Sequence, residues 1–296
     1  MSSQKELTKA TDYEYIHPWL GTGLLTSTGN KWRSRRKLLT PAFHFKILDD
    51  FIPIFNEQSK ILVNRLSQQS FIDDIVPYIT TCTLDIICET AMGTTVNAQM
   101  NPKSEYVQAI YDLGESFFKR ITTIYMWWEP LFKLTKDGQK FYRSLDILHN
   151  FTRKVIRERK ADLLSKDGDE KEDMNELGIK KKQAFLDLLL QYQLNGVGLT
   201  EEDIREEVDT FMFEGHDTTS MGICWSLYLI GGHPEVQAKV HEELDSIFGG
   251  ETERPITTED LADMKYLECC IKESLRIYPS VPVIGRQIKN GIQIGG

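Results

Sequence analysis

No apolar run in the 296 residues approaches the roughly 20 needed to cross a bilayer, and the start, Met1-Ser2-Ser3-Gln4-Lys5-Glu6, is polar and unlike a secretion signal. The expectation is a chain without an anchor of its own. Cysteine is sparse: Cys82, Cys88, Cys224, Cys269 and Cys270 are odd in number and lack zinc-type Cys-x-x-Cys spacing. That argues against a secreted disulfide framework or a zinc site, and for a reducing compartment. Asn150-Phe151-Thr152 matches a glycosylation acceptor, but so short a motif carries little weight without a secretory signal. Basic charge is also in deficit, with 35 Lys and Arg against 44 Asp and Glu and a net charge of -9, which argues against a nucleic-acid binder. What remains is ordinary. Hydrophobic residues at 41% and charged ones at 27% describe a globular protein, long enough for one large domain or two small ones.

The chain is organised around Leu199 to Gly232. Thr200 with Asp203 makes a capping box, acidic residues at 201 to 203 suit the positive end of a helix, and Gly231-Gly232 marks its end. One long helix is predicted, with Gly215, Asp217, Thr218, Thr219 and Ser220, all poor helix formers, in its middle. Hydroxyls there can bond to carbonyls one turn earlier and bend the helix, and Gly215 lets another body approach the backbone. Phe211, Glu214, Gly215, Thr218 and Gly222 share a face, with Asp217 about a quarter turn from Thr218. An acid beside a hydroxyl suits proton transfer; the alternative is a packed core helix with a kink and a buried Glu.

Asn30 to Leu39 reads as a short helix capped by Asn30 and stopped near Pro41. Trp32 and Arg36 share a face and could grip a carboxylate, the alternative being a solvated basic helix with one half-buried Trp. Lys31, Arg33, Arg35 and Lys37 would form a positive face for an acidic partner protein. Apolar periodicity predicts packing helices over Leu48 to Leu66, Ile75 to Met92, Tyr106 to Ile121 and Phe141 to Leu164. Trp127-Trp128 would line a pocket or, more often for such stripes, the core. A charged stretch at about 165–183 reads as an exposed loop. His233-Pro234 opens another helix to Phe248, in which His241-Glu242-Glu243-Leu244-Asp245 is better explained by an exposed amphipathic face than by a metal. Thr257 with Asp260 starts a last helix, where Glu273 and Arg276 would form a buried pair; Glu202 to Arg205 and Glu251 to Arg254 fit the same spacing.

Glu214-Gly215-His216-Asp217-Thr218-Thr219 resembles the oxygen-activating helix of the haem-thiolate monooxygenases, the cytochrome P450 superfamily. Glu214, where a small residue is usual, resembles its fourth family, the fatty-acid ω-hydroxylase group. Thr83 to Gly93 resembles another helix of that superfamily, and the three motifs with the sequence between them cover nearly the whole chain.

The resemblance implies a mainly α cytochrome P450 fold with a small β component, truncated at both ends, as a single partial domain over 1–296. It implies haem as cofactor. Thr218 and Asp217 correspond to the alcohol and acid that deliver protons in oxygen activation, and Glu214 to a residue that in some members forms an ester to a haem methyl. Trp32 and Arg36 correspond to the grip on a haem propionate. Arg286 corresponds to a second propionate-binding arginine, the alternative being an exposed strand residue. Glu273 and Arg276 correspond to a structural pair that locks the scaffold near the haem-ligand loop. No metal ligand is expected here, because the family places its axial Cys in a downstream Phe-x-x-Gly-x-x-x-Cys-x-Gly loop that is not found before Gly296.

The implied function, in a full-length protein, is hydroxylation of a small apolar substrate such as a fatty acid with dioxygen. NADPH-cytochrome P450 reductase, with cytochrome b5 as a further partner, would supply electrons; no nucleic acid is expected. The implied location is the endoplasmic reticulum membrane, on its cytosolic face, through segments not in this sequence. The alternative is a non-catalytic truncated helical relative, and the 296 residues alone are expected to be inactive.

Overall fold

The computed structural model describes residues 8–43, 48–166, 184–251 and 253–288. Among these the chain is mainly helical, and the β pairing there is an isolated antiparallel bridge between Lys9 and Arg286. In chain order the helices are α1 (His17–Leu20), α2 (Gly29–Leu39), α3 (Ile52–Ser67), α4 (Val76–Ala91), α5 (Glu105–Thr122) and α6 (Glu129–Leu134). They continue as α7 (Lys136–Lys166), α8 (Phe185–Leu194), α9 (Glu201–Gly232), α10 (Pro234–Phe248), α11 (Thr258–Asp263) and α12 (Lys265–Ile277). The predicted charged loop falls on residues that end α7 and then, from 167 to 183, outside the described residues.

Local chemistry accounts for several helix ends. Proline occupies the first turn of α1, α3, α4, α6 and α10, where its missing N–H costs nothing. Gly249 ends α10 in the left-handed conformation. The Thr200–Asp203 box opens α9: the Asp203 N–H donates to Thr200 Oγ1 at 3.1 Å and the Thr200 N–H to Asp203 Oδ2 at 3.0 Å.

Two boundaries differ from the sequence expectation. α2 begins at Gly29 with Thr28 as its N-cap, so Asn30 lies inside the helix and its Oδ1 accepts from Arg33 Nη1 at 3.5 Å. The last predicted helix is two. Thr257 and Asp260 do cap α11, but the chain breaks at Met264 and α12 starts afresh, because the Glu243 carboxylate accepts from the Tyr266 and Leu267 N–H groups at 2.7 and 2.9 Å.

The chain forms two compact units. The first comprises Met1–Phe43, Lys103–Phe211 and Val283–Gly296. Here α5 packs along α7 over fully buried Leu113, Phe132 and Phe141, with the two rings edge to face at 5.6 Å. Phe211, in the first part of α9, meets Phe43 at 5.2 Å and Phe185 at 4.3 Å. Trp127 and Trp128 do not enter the core, being 48% and 67% exposed, since the short helical turn at Ile124–Trp127 buries Met126 instead.

The second unit comprises His44–Pro102 and Met212–Pro282. In it α3 packs on α4 and α10 on α12. The buried Asp85 of α4 accepts from the Ala98 and Gln99 N–H groups at 2.6 and 2.9 Å, which ties the following loop to the helix.

Candidate functional site

The poor helix formers of α9 do not break it. Thr218 Oγ1 donates to the Glu214 carbonyl at 2.7 Å, Ser220 Oγ to Asp217 O and Ser226 Oγ to Gly222 O, both at 2.8 Å, so these three hydroxyls are satisfied within their own helix. Thr218 therefore bonds a carbonyl and not the Asp217 carboxylate, and Asp217 itself is exposed. The body close to Gly215 is Ile87 of α4. His216 is the inward residue, 1% exposed, with Nδ1 bonded to Met212 O at 2.6 Å; burial lowers its pKa and keeps it neutral. On the outward side Thr218, Thr219 and Gly222 line a pocket of about 580 Å³ with Ile223, Leu227, Ile271 and Leu275. Its walls are apolar, and the hydroxyls of Thr218 and Thr219 are among its few polar groups.

On α2 the basic residues divide. Arg35 is buried and pairs with Asp203 and, at 3.6 Å, with Glu207, while Lys31 Nζ meets Glu206 Oε2 at 2.8 Å. The expected positive face of four thus shrinks to the exposed Arg33 and Lys37, because the acidic first turns of α9 take the other two. Trp32 is half-buried and Arg36 exposed; among the described residues neither the indole N–H nor the guanidinium has a hydrogen-bond partner. Two free donors one turn apart are what a carboxylate requires. Arg286 is likewise exposed, its Nη1 donating to Gly285 O at 2.8 Å.

The Glu-x-x-Arg pairs correct the sequence reading. Glu273 and Arg276 are joined by two 2.7 Å hydrogen bonds but lie at the surface, with side chains 56% and 70% exposed, because α12 turns Ser274 inward and its charged face out. The buried arginine of this spacing is Arg205, paired with Glu202 at 2.7 Å. Its guanidinium also holds Asp209 and donates to the Trp19 carbonyl at 3.0 Å, and Thr152 Oγ1 donates to Asp209 at 2.6 Å. Burial pushes the Asp209 carboxyl up to about 7 although Arg205 and Thr152 favour its ion. The signal for this network was the i, i+4 spacing of Arg205 and Asp209. Of the Asn150-Phe151-Thr152 triplet, Thr152 is buried in this network while Asn150 is exposed.

Thr218 and Thr219 of the long helix α9 thus stand at an apolar pocket in a mainly α chain. The cytochrome P450 family model matches residues 2–296, and the chain belongs to that family. It is 52% identical over 305 residues to cytochrome P450 4c3 of Drosophila melanogaster and 50% over 302 residues to cytochrome P450 4V2 of Homo sapiens, in each case over 100% of this chain and 57% of the relative. Cytochrome P450 4d2 of Drosophila melanogaster is 45% identical over 305 residues, 100% of this chain and 60% of that protein. The chain therefore spans somewhat over half the length of these curated relatives, all of family 4. Proteins of the P450 family bind haem iron.

The residues present fit parts of that group. The α2 donors suit a propionate, and the α9 pocket suits an apolar ring. Of the cysteines, Cys82, Cys88 and Cys224 are buried in the helix packing, and burial pushes the Cys82 thiol up to about 11 and those of Cys88 and Cys224 upward.

Proposed function

We propose that these residues belong to a haem-dependent monooxygenase that hydroxylates a small apolar substrate, a fatty acid or similar lipid. The observation that carries the reading is the Thr218 hydroxyl at the edge of an apolar pocket on α9. Haem held by a thiolate supplies the oxygen activation and insertion. In this reading Trp32 and Arg36 bind one propionate by charge-assisted hydrogen bonds, and Arg286 another. Apolar Ile223, Leu227, Ile271 and Leu275, exposed here, would be covered by a bound apolar group. Thr218 hands on a proton from its Oγ1 once that hydroxyl rotates away from the Glu214 carbonyl, and exposed Asp217 exchanges protons with solvent. Glu214, half-buried one turn before Thr218, is the carboxylate assigned to any ester with a haem methyl.

The iron-ligating thiolate is assigned to none of the five cysteines of this sequence. The 296 residues alone are accordingly assigned no turnover, and the second reading is a non-catalytic helical relative. The electron donor, NADPH-cytochrome P450 reductase with or without cytochrome b5, would meet Arg33 and Lys37 of α2. The working place is the cytosolic face of the endoplasmic reticulum membrane; among the described residues no helix is long and apolar enough to cross one.

The test starts from the transcript beyond the codon for Gly296. If the frame stays open to a cysteine loop, the longer product with reductase and NADPH should hydroxylate a medium- or long-chain fatty acid. A haem-loaded longer product that turns over no lipid would overturn the substrate class. A stop codon, with no thiolate-type spectrum from the reduced carbon monoxide complex of the reconstituted chain, would favour the non-catalytic reading.

A further inference from the structure

In the first unit, α7 carries nine Lys and Arg residues, four of which stand in ion pairs among the described residues. Lys140 pairs with Asp112 and Glu115 at 2.9 and 2.8 Å, Lys154 with Glu158 at 3.8 Å, Arg159 with Asp187 at 2.6 Å and Lys160 with Glu201 at 3.6 Å. Lys136 and Arg143 stand outside these pairs, and so do Arg153 and Arg157. The latter two are exposed, stand one turn apart, and among the described residues have no carboxylate within ion-pair distance. Arg157 Nε donates to the Arg153 carbonyl at 3.3 Å, and among the described residues the two terminal amino groups of its guanidinium have no hydrogen-bond partner. Like charges at this spacing repel, so the arrangement is costly unless an anion sits between them.

The two arginines line a concave cleft of about 580 Å³ with Asn150, Lys154, Glu202 and Arg205. The carboxylates of the cleft are already matched, Glu202 by Arg205 and Glu201 by Lys160. The inner wall is Arg205, 4% exposed and held by Asp209 and the Trp19 carbonyl, so it is a fixed surface. Among the described residues neither Arg153 nor Arg157 has a carboxylate within ion-pair distance, although the Arg153 charge acts on Glu202, and the Asn150 amide lines the same cleft.

We infer that this cleft binds a phosphate group between Arg153 and Arg157. A guanidinium pairs with phosphate through two parallel N–H donors, and a doubly charged phosphate can neutralise both arginines, which a single carboxylate cannot. The group comes either as a free phosphate or as the headgroup of an anionic lipid, and the chemistry at the arginines is the same.

The test titrates the 296-residue chain with inorganic phosphate by calorimetry at low salt. In parallel it is sedimented with phosphatidylcholine vesicles with and without phosphatidic acid. Arg153→Gln/Arg157→Gln should weaken binding roughly tenfold or more, while Arg143→Gln, an exposed arginine on α7 outside the cleft, should leave it unchanged. The single variants Arg153→Gln and Arg157→Gln give the same readout should the double variant unfold. Binding of inorganic phosphate, lost in the variants, supports the site with a soluble source. Binding of phosphatidic acid vesicles alone, lost in the variants, supports it with a lipid source. No binding in either arm, or equal binding by the variants and the parent, overturns it.

Discussion

Gly215 on α9 and Ile87 on α4 approach so closely that a Cβ on Gly215 would lie 2.6 Å from both Ile87 Cγ1 and Cδ1. Gly215→Ala should therefore lower stability by about 1 kcal/mol, overpacking outweighing the better helix propensity of alanine. With Ile87→Ala already present, the clash is gone and the same change should stabilise by about 1 kcal/mol. Urea unfolding of the four proteins checks this reversal; the same sign in both backgrounds would show that something other than Ile87 requires the glycine.

Neighbouring arginines on α2 should behave oppositely. Arg35→Met removes the partner of Asp203 and should cost about 2 kcal/mol in unfolding free energy. Arg36→Ala, whose guanidinium has no partner among the described residues, should leave unfolding unchanged yet weaken haem retention in the longer protein. Equal stability losses in the two variants would refute the division of the helix into structural and ligand-facing sides.

Stability should fall as pH rises from 4.5 to about 7, because burial pushes the Glu207 carboxyl from 4.5 up to about 7 despite the Leu24 N–H and Arg35. The folded chain holds this proton more tightly than the unfolded one. Its contribution is thus complete below the unfolded value and lost as pH passes through the folded one, up to about 3 kcal/mol. Glu207→Gln keeps an acceptor for the Leu24 N–H but has no proton to lose, so its Tm should vary less with pH. An unchanged slope in thermal melts across that range would count against Glu207 as the source; Asp209, raised to a similar value, would be the next variant to melt.

Thr218→Ala removes the 2.7 Å bond to the Glu214 carbonyl without touching the α2 donors. In the longer protein haem content should persist while NADPH consumption uncouples from product formation. Coupling equal to the parent's would rule out a proton role for this hydroxyl. Should haem be covalently attached, Glu214→Ala should release it on acid extraction.

The helices and several of their ends were legible in the sequence because they depend on neighbours three or four residues away. The Thr200–Asp203 and Thr257–Asp260 boxes, the first-turn prolines and the α9 face shared by Glu214 and Thr218 are local facts, and so are the motifs that carry the family. The separate start of α12 was not legible, since the group that caps it, Glu243, is more than twenty residues upstream.

Burial of charge was decided by tertiary structure alone. Three Glu-x-x-Arg spacings look alike in one dimension, yet only Arg205 finds buried Asp209, Thr152 and the Trp19 carbonyl around it, while Arg276 stays in solvent and Arg254 turns to Asp260. Lys31 and Arg35 left the expected positive face for the same reason: the carboxylates that hold them lie more than 160 residues away. Periodicity tells which residues share a face, but desolvating an ion is tolerated only where distant segments bring the partners that offset it.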